Sequence, residues 1–149
     1  MIYQEVGVFV GVEPSGLAAP EATNVFSASG STASITSGRL SHSLGLSGPC
    51  YSIDTACSST LSALHLCAIT MQRKECVQSV TVGTKILSKA ANLQNSVAGM
   101  TSLLGRCHTF DVRADGYCRG EGCSALYLRT SGELVQRCTA VRVVDSAVQ

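Results

Sequence analysis

The sequence predicts an α/β chain built on a parallel sheet, and three stretches carry that reading. Val6-Gly7-Val8-Phe9-Val10-Gly11-Val12 is a continuous apolar run stopped by Glu13-Pro14-Ser15-Gly16, the pattern of a strand buried on both faces of a parallel sheet. Cys50 to Ile53 is short and mixed, as a strand entering a core is, and Ala56 to Met71 contains no glycine or proline and reads as a helix. Cys76 to Val82 then supplies a further strand, with Gly83 after it at a point where backbone can approach something closely. Strand, helix and strand thus surround Cys57.

The remaining elements follow in order. From Ser27 to Ser37 the chain is rich in serine, threonine, alanine and glycine, the composition of a flexible linker. A packed helix over Thr32 to Leu44 is preferred, because Ala33, Ser37, Leu40 and Leu44 fall on one face and Gly45 stands where a helix ends. The helix after Cys57 carries Leu61, Ala63, Leu64, Leu66, Ala68, Ile69 and Met71 with almost no polar face before Gln72-Arg73-Lys74-Glu75, so it is expected to be buried all round. Asn92 to Leu104 has little periodicity and reads as a surface excursion. Cys123 to Leu128 and Thr139 to Val144 read as the last strands.

Composition bounds the function. With 149 residues, 45% of them hydrophobic and 14% charged, the chain has apolar material enough for one globular core. A net charge of +1 gives no electrostatic reason to expect nucleic acid or an anionic membrane as partner. No signal peptide opens the sequence and no run is long enough to span a bilayer, so an intracellular, cytoplasmic protein is expected, with a plastid also compatible. Eight cysteines invite a disulfide framework, but no C-x-x-C pair occurs, and Cys67, Cys76 and Cys123 sit beside apolar neighbours like small core hydrophobes. Cys107-His108 with Cys118 and Cys123 is the alternative zinc set, disfavoured because it lacks closely spaced ligand pairs. No metal or directly bound cofactor is expected.

Cys57 is the candidate catalytic residue. It stands at a strand-to-helix turn, where the first backbone N–H groups of the helix are unpaired and favour a thiolate over a thiol. The same turn logic presents the serine of hydrolases, and the N–H of Cys57 can help hold an oxyanion. A buried structural cysteine is the competing reading, since free cysteine is among the most buried residue types. The loop from Asp111 to Gly122 combines Asp111, Asp115, Glu121, Arg113 and Arg119 with glycines; an internally ion-paired turn explains it, and it lacks the Lys-Ser or Lys-Thr and following helix of a phosphate loop.

Asp54-Thr55-Ala56-Cys57-Ser58-Ser59 resembles the active-site motif of beta-ketoacyl synthases, and in particular of the ketosynthase domains of modular type I polyketide synthases. Gly38-Arg39-Leu40-Ser41 and Gly45-Leu46-Ser47-Gly48-Pro49 resemble the family's lead-in. Gly105-Arg106-Cys107, Phe110-Asp111 and Ala114-Asp115-Gly116-Tyr117-Cys118-Arg119-Gly120-Glu121-Gly122 resemble its glycine-rich loop in order and spacing. The resemblance runs from about Gly7 to Gln149. It implies a thiolase-like, layered αβαβα fold, of which this chain is most of the N-terminal half, in a dimeric enzyme. It implies Cys57 as the nucleophile that takes an acyl group from a phosphopantetheine arm on acyl carrier protein and condenses it with a malonyl-type extender, and a glycine-rich loop that braces the site.

The sequence departs from the family pattern in one consequential way. The family activates the extender with two histidines and a lysine, and none of His42, His65 or His108 lies in those motifs. His65 follows Cys57 by eight residues on the same helix, roughly 12 Å along its axis at the usual rise. The family's histidines are therefore expected beyond Gln149, and residues 1–149 alone are expected not to condense anything. Thr84-Lys85-Ile86 and the stretch from Glu133 to Arg142 also depart from the pattern. The alternatives are a fatty-acid ketosynthase, a cysteine hydrolase pairing Cys57 with a base such as His108, and a non-catalytic module that dimerises or binds a carrier protein.

Overall fold

The computed structural model describes residues 5–13, 25, 27–30 and 32–130. The elements are β1 (Val6–Val12), a one-turn α1 (Ser27–Gly30), α2 (Thr36–Leu44), β2 (Cys50–Ile53), α3 (Ser59–Gln72), β3 (Gln78–Lys85), α4 (Lys89–Val97) and β4 (Gly122–Arg129). They fall into two compact units, one of Met1–Glu13, Thr32–Thr84 and Cys123–Gln149, the other of Pro14–Ser31 and Lys85–Gly122.

The first unit is a four-stranded sheet in the order β2-β1-β3-β4. β1 runs parallel to both neighbours, with Gly11 opposite Ile53 on one side and Gly83 on the other. β4 runs against β3, because its end lies at the start of β3: the Thr130 N–H donates to the Val77 carbonyl at 3.0 Å and the Tyr127 hydroxyl to Gln78 Oε1 at 2.6 Å. Every residue of β1 is buried, as its unbroken apolar run predicts for a central parallel strand.

Alternation along β1 sends its side chains into two separate cores. Phe9 packs with Ala63, Cys67, Met71 and Cys76 beneath α3, and its ring stacks on Tyr51 of β2 with centroids 5.6 Å apart. Val8, Val10 and Val12 pack on the other face with Ala33, Leu40, Leu46 and Val82, the layer of α2. A 3₁₀ turn at Ala33–Ile35 leads into α2, whose N-terminal end is fastened to β2 by Ser52: its Oγ accepts from the Ser37 N–H at 3.0 Å and donates to Ser37 Oγ at 3.0 Å. Gly45 ends α2 in the left-handed region at φ 67°, and the Leu46 N–H closes back on the Ser41 carbonyl at 2.8 Å, the closure that glycine after a helix permits.

Several expectations shift. The helix after Cys57 is preceded by a 3₁₀ turn at Ala56–Ser58 and becomes α-helical at Ser59, and it is not buried all round, since Leu61 is 59% exposed. Leu44, placed on the inner face of α2, is exposed. β3 starts at Gln78 rather than Cys76 because Lys74 takes a positive φ and the chain is still turning there. Cys123 is exposed on β4 rather than packed in a core. Thr139 to Val144 lies outside the described residues.

In the second unit the expected surface excursion is in part a helix. Ser88 caps α4, its Oγ accepting from the Ala91 N–H at 3.2 Å, and Gly99 at φ 70° follows its end. Beyond it, the Tyr117 N–H donates to the Met100 carbonyl and the Ser102 N–H to the Tyr117 carbonyl, both at 3.1 Å, so the two segments lie side by side. Gly116 sits between them because a Cβ there would stand 2.5 Å from the Ser102 nitrogen.

Candidate active site

The seat of α3 is made by two glycines that face each other across β1 and β3. A Cβ on Gly11 would lie 2.6 Å from the Thr60 backbone nitrogen and 2.7 Å from the Ser59 carbonyl carbon; one on Gly83 would lie 2.4 Å from Thr60 Oγ1. Side chains at either position would hold the helix off the sheet. Their absence lets the first turn of α3, two residues after Cys57, rest on the strands themselves, as the expected close approach at Gly83 requires.

The turn ahead of α3 is strained and tied down. Ala56 has φ 55°, a left-handed conformation that costs a residue with a Cβ about 1–2 kcal/mol. Its N–H donates to Asp54 Oδ1 at 3.0 Å, and its carbonyl accepts from the Ser59 hydroxyl at 2.6 Å and from the Ser59 N–H. The Ser59 hydroxyl in turn accepts the Thr55 N–H at 2.8 Å. Ser58 Oγ donates to Thr55, its carbonyl at 2.8 Å and its hydroxyl at 2.9 Å being alternative acceptors, and Thr55 Oγ1 lies 3.1 Å from Ser62 Oγ. The small hydroxyl residues on either side of Cys57 therefore act as the ties of the turn.

Cys57 itself is exposed at the apex, whereas Cys67 and Cys76 are buried below α3. The Cys67 thiol contacts Ser79 Oγ at 2.8 Å, and burial, aided by Cys67 nearby, pushes the Cys76 thiol up. Those two are packing cysteines. Cys57 is a thiol presented to solvent at the head of a helix, set up by backbone that packing alone does not need.

Of the histidines, His65 lies on α3, half-buried, and His42 on the exposed side of α2. His108 belongs to the second unit, where its carbonyl accepts the Asp111 N–H at 3.0 Å. The loop there is held in more than one way. Asp111 takes two bonds from the Arg113 guanidinium at 2.8 and 3.0 Å, which hold its carboxyl below the usual carboxylate range. The Asp111–Arg113 pair is local ion pairing of the kind expected of this turn; in addition Arg119 donates to Asn92 Oδ1 at 2.8 Å, Glu121 accepts the Leu87 N–H at 3.2 Å, and Asp115 accepts the Leu103 N–H at 3.2 Å. These last three each reach out to a neighbouring segment. The Cys118 N–H points at Cys107 Sγ, 3.1 Å away, and among the described residues no three His, Cys, Asp or Glu side chains are placed to hold a metal ion.

Sequence reasoning missed Ser59, Thr60 and Gly11. The signal for the first was present in the run of hydroxyl residues around Cys57; the other two depend on which strand lies under which turn.

These features define a class: an α/β protein in which a strand, a strained turn and a helix packed on a mixed sheet present an exposed thiol at the head of that helix. The family is shown by comparison. Residues 3–133 match the model of the family described as Beta-ketoacyl synthase, N-terminal domain, and the chain belongs to it. It is 43% identical over 129 residues to the non-reducing polyketide synthase mapC of Penicillium roqueforti, covering 84% of this chain and 5% of that one. It is 40% identical over 134 residues to a 3-methylorcinaldehyde synthase of a Phoma species, covering 87% of this chain and 5% of the relative. Among solved structures, the ketosynthase from module 6 of the bacillaene synthase of Bacillus subtilis superposes with a TM-score of 0.71 at 30% identity, over 86% of this chain and 22% of that one. An oxazolomycin ketosynthase domain of Streptomyces albus gives 0.73 at 30% identity, over 85% and 23%. The fold is thus the thiolase-like α/β fold of ketosynthases, and the chain spans a small part of the length of the proteins it matches.

Proposed function

We propose that Cys57 is the acyl-accepting nucleophile of a polyketide ketosynthase, and that residues 1–149 form its nucleophile-bearing part without the histidine-bearing part. The observation that carries this reading is the exposed thiol on a strained, fully tied turn at the head of α3. Kinship with polyketide synthases supports it and favours a polyketide over a fatty-acid product.

In the first half-reaction the Cys57 thiolate attacks the carbonyl carbon of an acyl thioester carried on the phosphopantetheine arm of acyl carrier protein. A carbon–sulfur bond forms to Cys57, the carrier's thiolate leaves, and the acyl-enzyme results. The turn supplies this step with a fixed sulfur position and with the N–H of Cys57 itself as a donor for the oxygen that becomes negative, the N–H groups of Ala56, Ser58 and Ser59 being taken by Asp54, Thr55 and Ala56. In the second half-reaction a malonyl-type extender loses carbon dioxide, its carbanion attacks the acyl carbon, and Cys57 is expelled as thiolate. That step needs groups that stabilise the extender's enolate, by family resemblance two histidines aided by a lysine, and His42, His65 and His108 do not stand in those motifs. The complete domain works as a homodimer in an intracellular setting, with acyl carrier protein as its partner.

The test is acyl transfer in the intact protein that carries these residues. With an acyl-carrier thioester, Cys57→Ala should abolish covalent acylation and condensation, while Cys50→Ala should change both much less. Acylation that persists in the Cys57→Ala protein defeats the reading. Residues 1–149 alone should yield no β-ketoacyl product.

A further inference from the structure

The turn that carries Cys57 is wrapped around a single hydroxyl. Ser59 is only 5% exposed, and its Oγ uses both of its roles on backbone: it accepts the Thr55 N–H at 2.8 Å and donates to the Ala56 carbonyl at 2.6 Å. Those two groups lie on the N-terminal side of Cys57, and Ser59 lies on the other. Ala56 is the left-handed residue of the turn, and its carbonyl belongs to the peptide that leads into Cys57. The plane of that peptide sets the direction of the Cys57 N–H and, through the Cys57 φ angle, the direction of its side chain. Asp54 holds the N–H of Ala56 from the opposite end. Ser58 also crosses Cys57, its Oγ reaching Thr55, but among these side-chain ties the Ser59 hydroxyl is the buried one and the one that holds the Ala56 carbonyl.

We infer that Ser59 is a positioning residue for Cys57: its buried hydroxyl clamps the Thr55 N–H to the Ala56 carbonyl and so fixes the strained peptide from which the thiol projects. The inference rests on the reading of Cys57 as the nucleophile. Loss of the hydroxyl leaves the Thr55 N–H without its partner and removes one of the two bonds on the Ala56 carbonyl, the Ser59 N–H remaining, so a peptide held in an unfavourable conformation is loosened and the strain relaxes by partial rotation of the Ala56–Cys57 peptide. A hydroxyl restored on the same Cβ, as threonine provides, restores the clamp.

The experiment is alkylation of the intact protein by iodoacetamide, with each cysteine followed separately by peptide mapping, in the parent and in Ser59→Ala and Ser59→Thr. Ser59→Ala should slow acyl transfer to Cys57 by up to about 100-fold, the cost of roughly 1 Å of displacement of a reacting group, and slow its alkylation in the same direction, while Cys67 and Cys76 stay protected and Ser59→Thr returns both rates towards those of the parent. Three results overturn the inference. They are a Cys57 rate in Ser59→Ala that matches the parent, a Ser59→Thr protein as slow as Ser59→Ala, and an alanine variant in which Cys67 and Cys76 become reactive, which would make the hydroxyl a tie of the fold rather than of the turn. Acyl transfer measured alongside separates this inference from the proposed function. If Cys57 takes no acyl group yet shows the alkylation pattern, the clamp stands and the ketosynthase reading falls; if it is acylated equally well in parent and Ser59→Ala and the alkylation rates match, the clamp alone falls.

Discussion

Gly83→Ala probes how the sheet carries Cys57. Gly83 has no left-handed backbone to lose, so alanine is conformationally acceptable there and the whole effect is steric. The new methyl group would lie 2.4 Å from Thr60 Oγ1, 2.8 Å from Cγ2 and 3.1 Å from Cβ, where ordinary contact begins at 3.4 Å. The shortfall is about 1 Å at a β-branched side chain that cannot swing its whole bulk away. Thr60 follows Cys57 by three residues, so relief by lifting the first turn of α3 displaces the thiol as well. Overpacking of this kind costs about 1–3 kcal/mol of stability, and a 1 Å misplacement of a reacting group costs on the order of 100-fold in rate.

The diagnostic is a double-mutant cycle. Thr60→Ala removes the two atoms nearest the methyl group and leaves only Cβ at 3.1 Å, so Gly83→Ala should cost much less in that background. Urea unfolding should return a favourable coupling of about 1–3 kcal/mol between the two sites, and acylation of Cys57 should recover in the double variant relative to Gly83→Ala. Gly11→Ala should behave differently, because it meets the backbone of Ser59 and Thr60, which no change of the Thr60 side chain removes. Additive energies for Gly83→Ala with Thr60→Ala, or rescue of Gly11→Ala by Thr60→Ala, would refute the reasoning.

Two further outcomes are expected. Ser52→Ala deprives the Ser37 N–H and hydroxyl of their partner on β2 and should cost about 1–3 kcal/mol in urea unfolding; a change within about 0.5 kcal/mol, ordinary for a surface position, contradicts the tie. The carboxyl of Asp111 is held below the usual carboxylate range by the Arg113 side chain and then its N–H, and that of Asp115 by the Ser102 hydroxyl first, with the Leu103 N–H contributing. Lowered values mean that both contributions to the loop are complete above the ordinary carboxylate range and fade as pH falls through the lowered ones. The amide resonances of Arg113 and Leu103 should therefore titrate with midpoints below that range, and midpoints at or above it count against these bonds.

What the sequence makes legible are the features that short-range chemistry decides. The bounds of β1 follow from an apolar run stopped by Glu13-Pro14, and the end of α2 follows from the one residue at Gly45 that takes φ 67° without strain. The bounds of β2 fall at Cys50 and Ile53, as read. α4 escapes because its apolar residues make no inward stripe: Leu93 and Val97 are exposed, and the legible marks are its Ser88 cap and the glycine after it. Cys123 was misplaced because apolar neighbours in a strand speak for either face, and the face is decided by what covers it. Gly11, Gly83 and Thr60 come together only when β1 and β3 are paired in register beneath α3, a fact of tertiary structure.

The case for Cys57 rests on what its surroundings spend on it compared with what the other thiols receive. Cys67 sits within α3 and Cys76 in the turn ahead of β3, both packed in the core and Cys67 in contact with a serine, and their burial explains their presence. Cys57 is exposed in this chain, as are Cys50, Cys107, Cys118 and Cys123, so what sets it apart is the backbone that carries it. Beside it an alanine adopts φ 55°, at a cost of about 1–2 kcal/mol, and hydrogen bonds to Asp54 and from Ser59 hold it there. Two glycines clear the sheet so that the helix behind it can sit low, each forgoing the packing that a side chain would add at a buried strand position. A structural role returns nothing for this combination of strain, fixed backbone and missing side chains. Holding one solvent-facing sulfur at a set height and direction above a rigid sheet does, which is what attack on a thioester carbonyl requires.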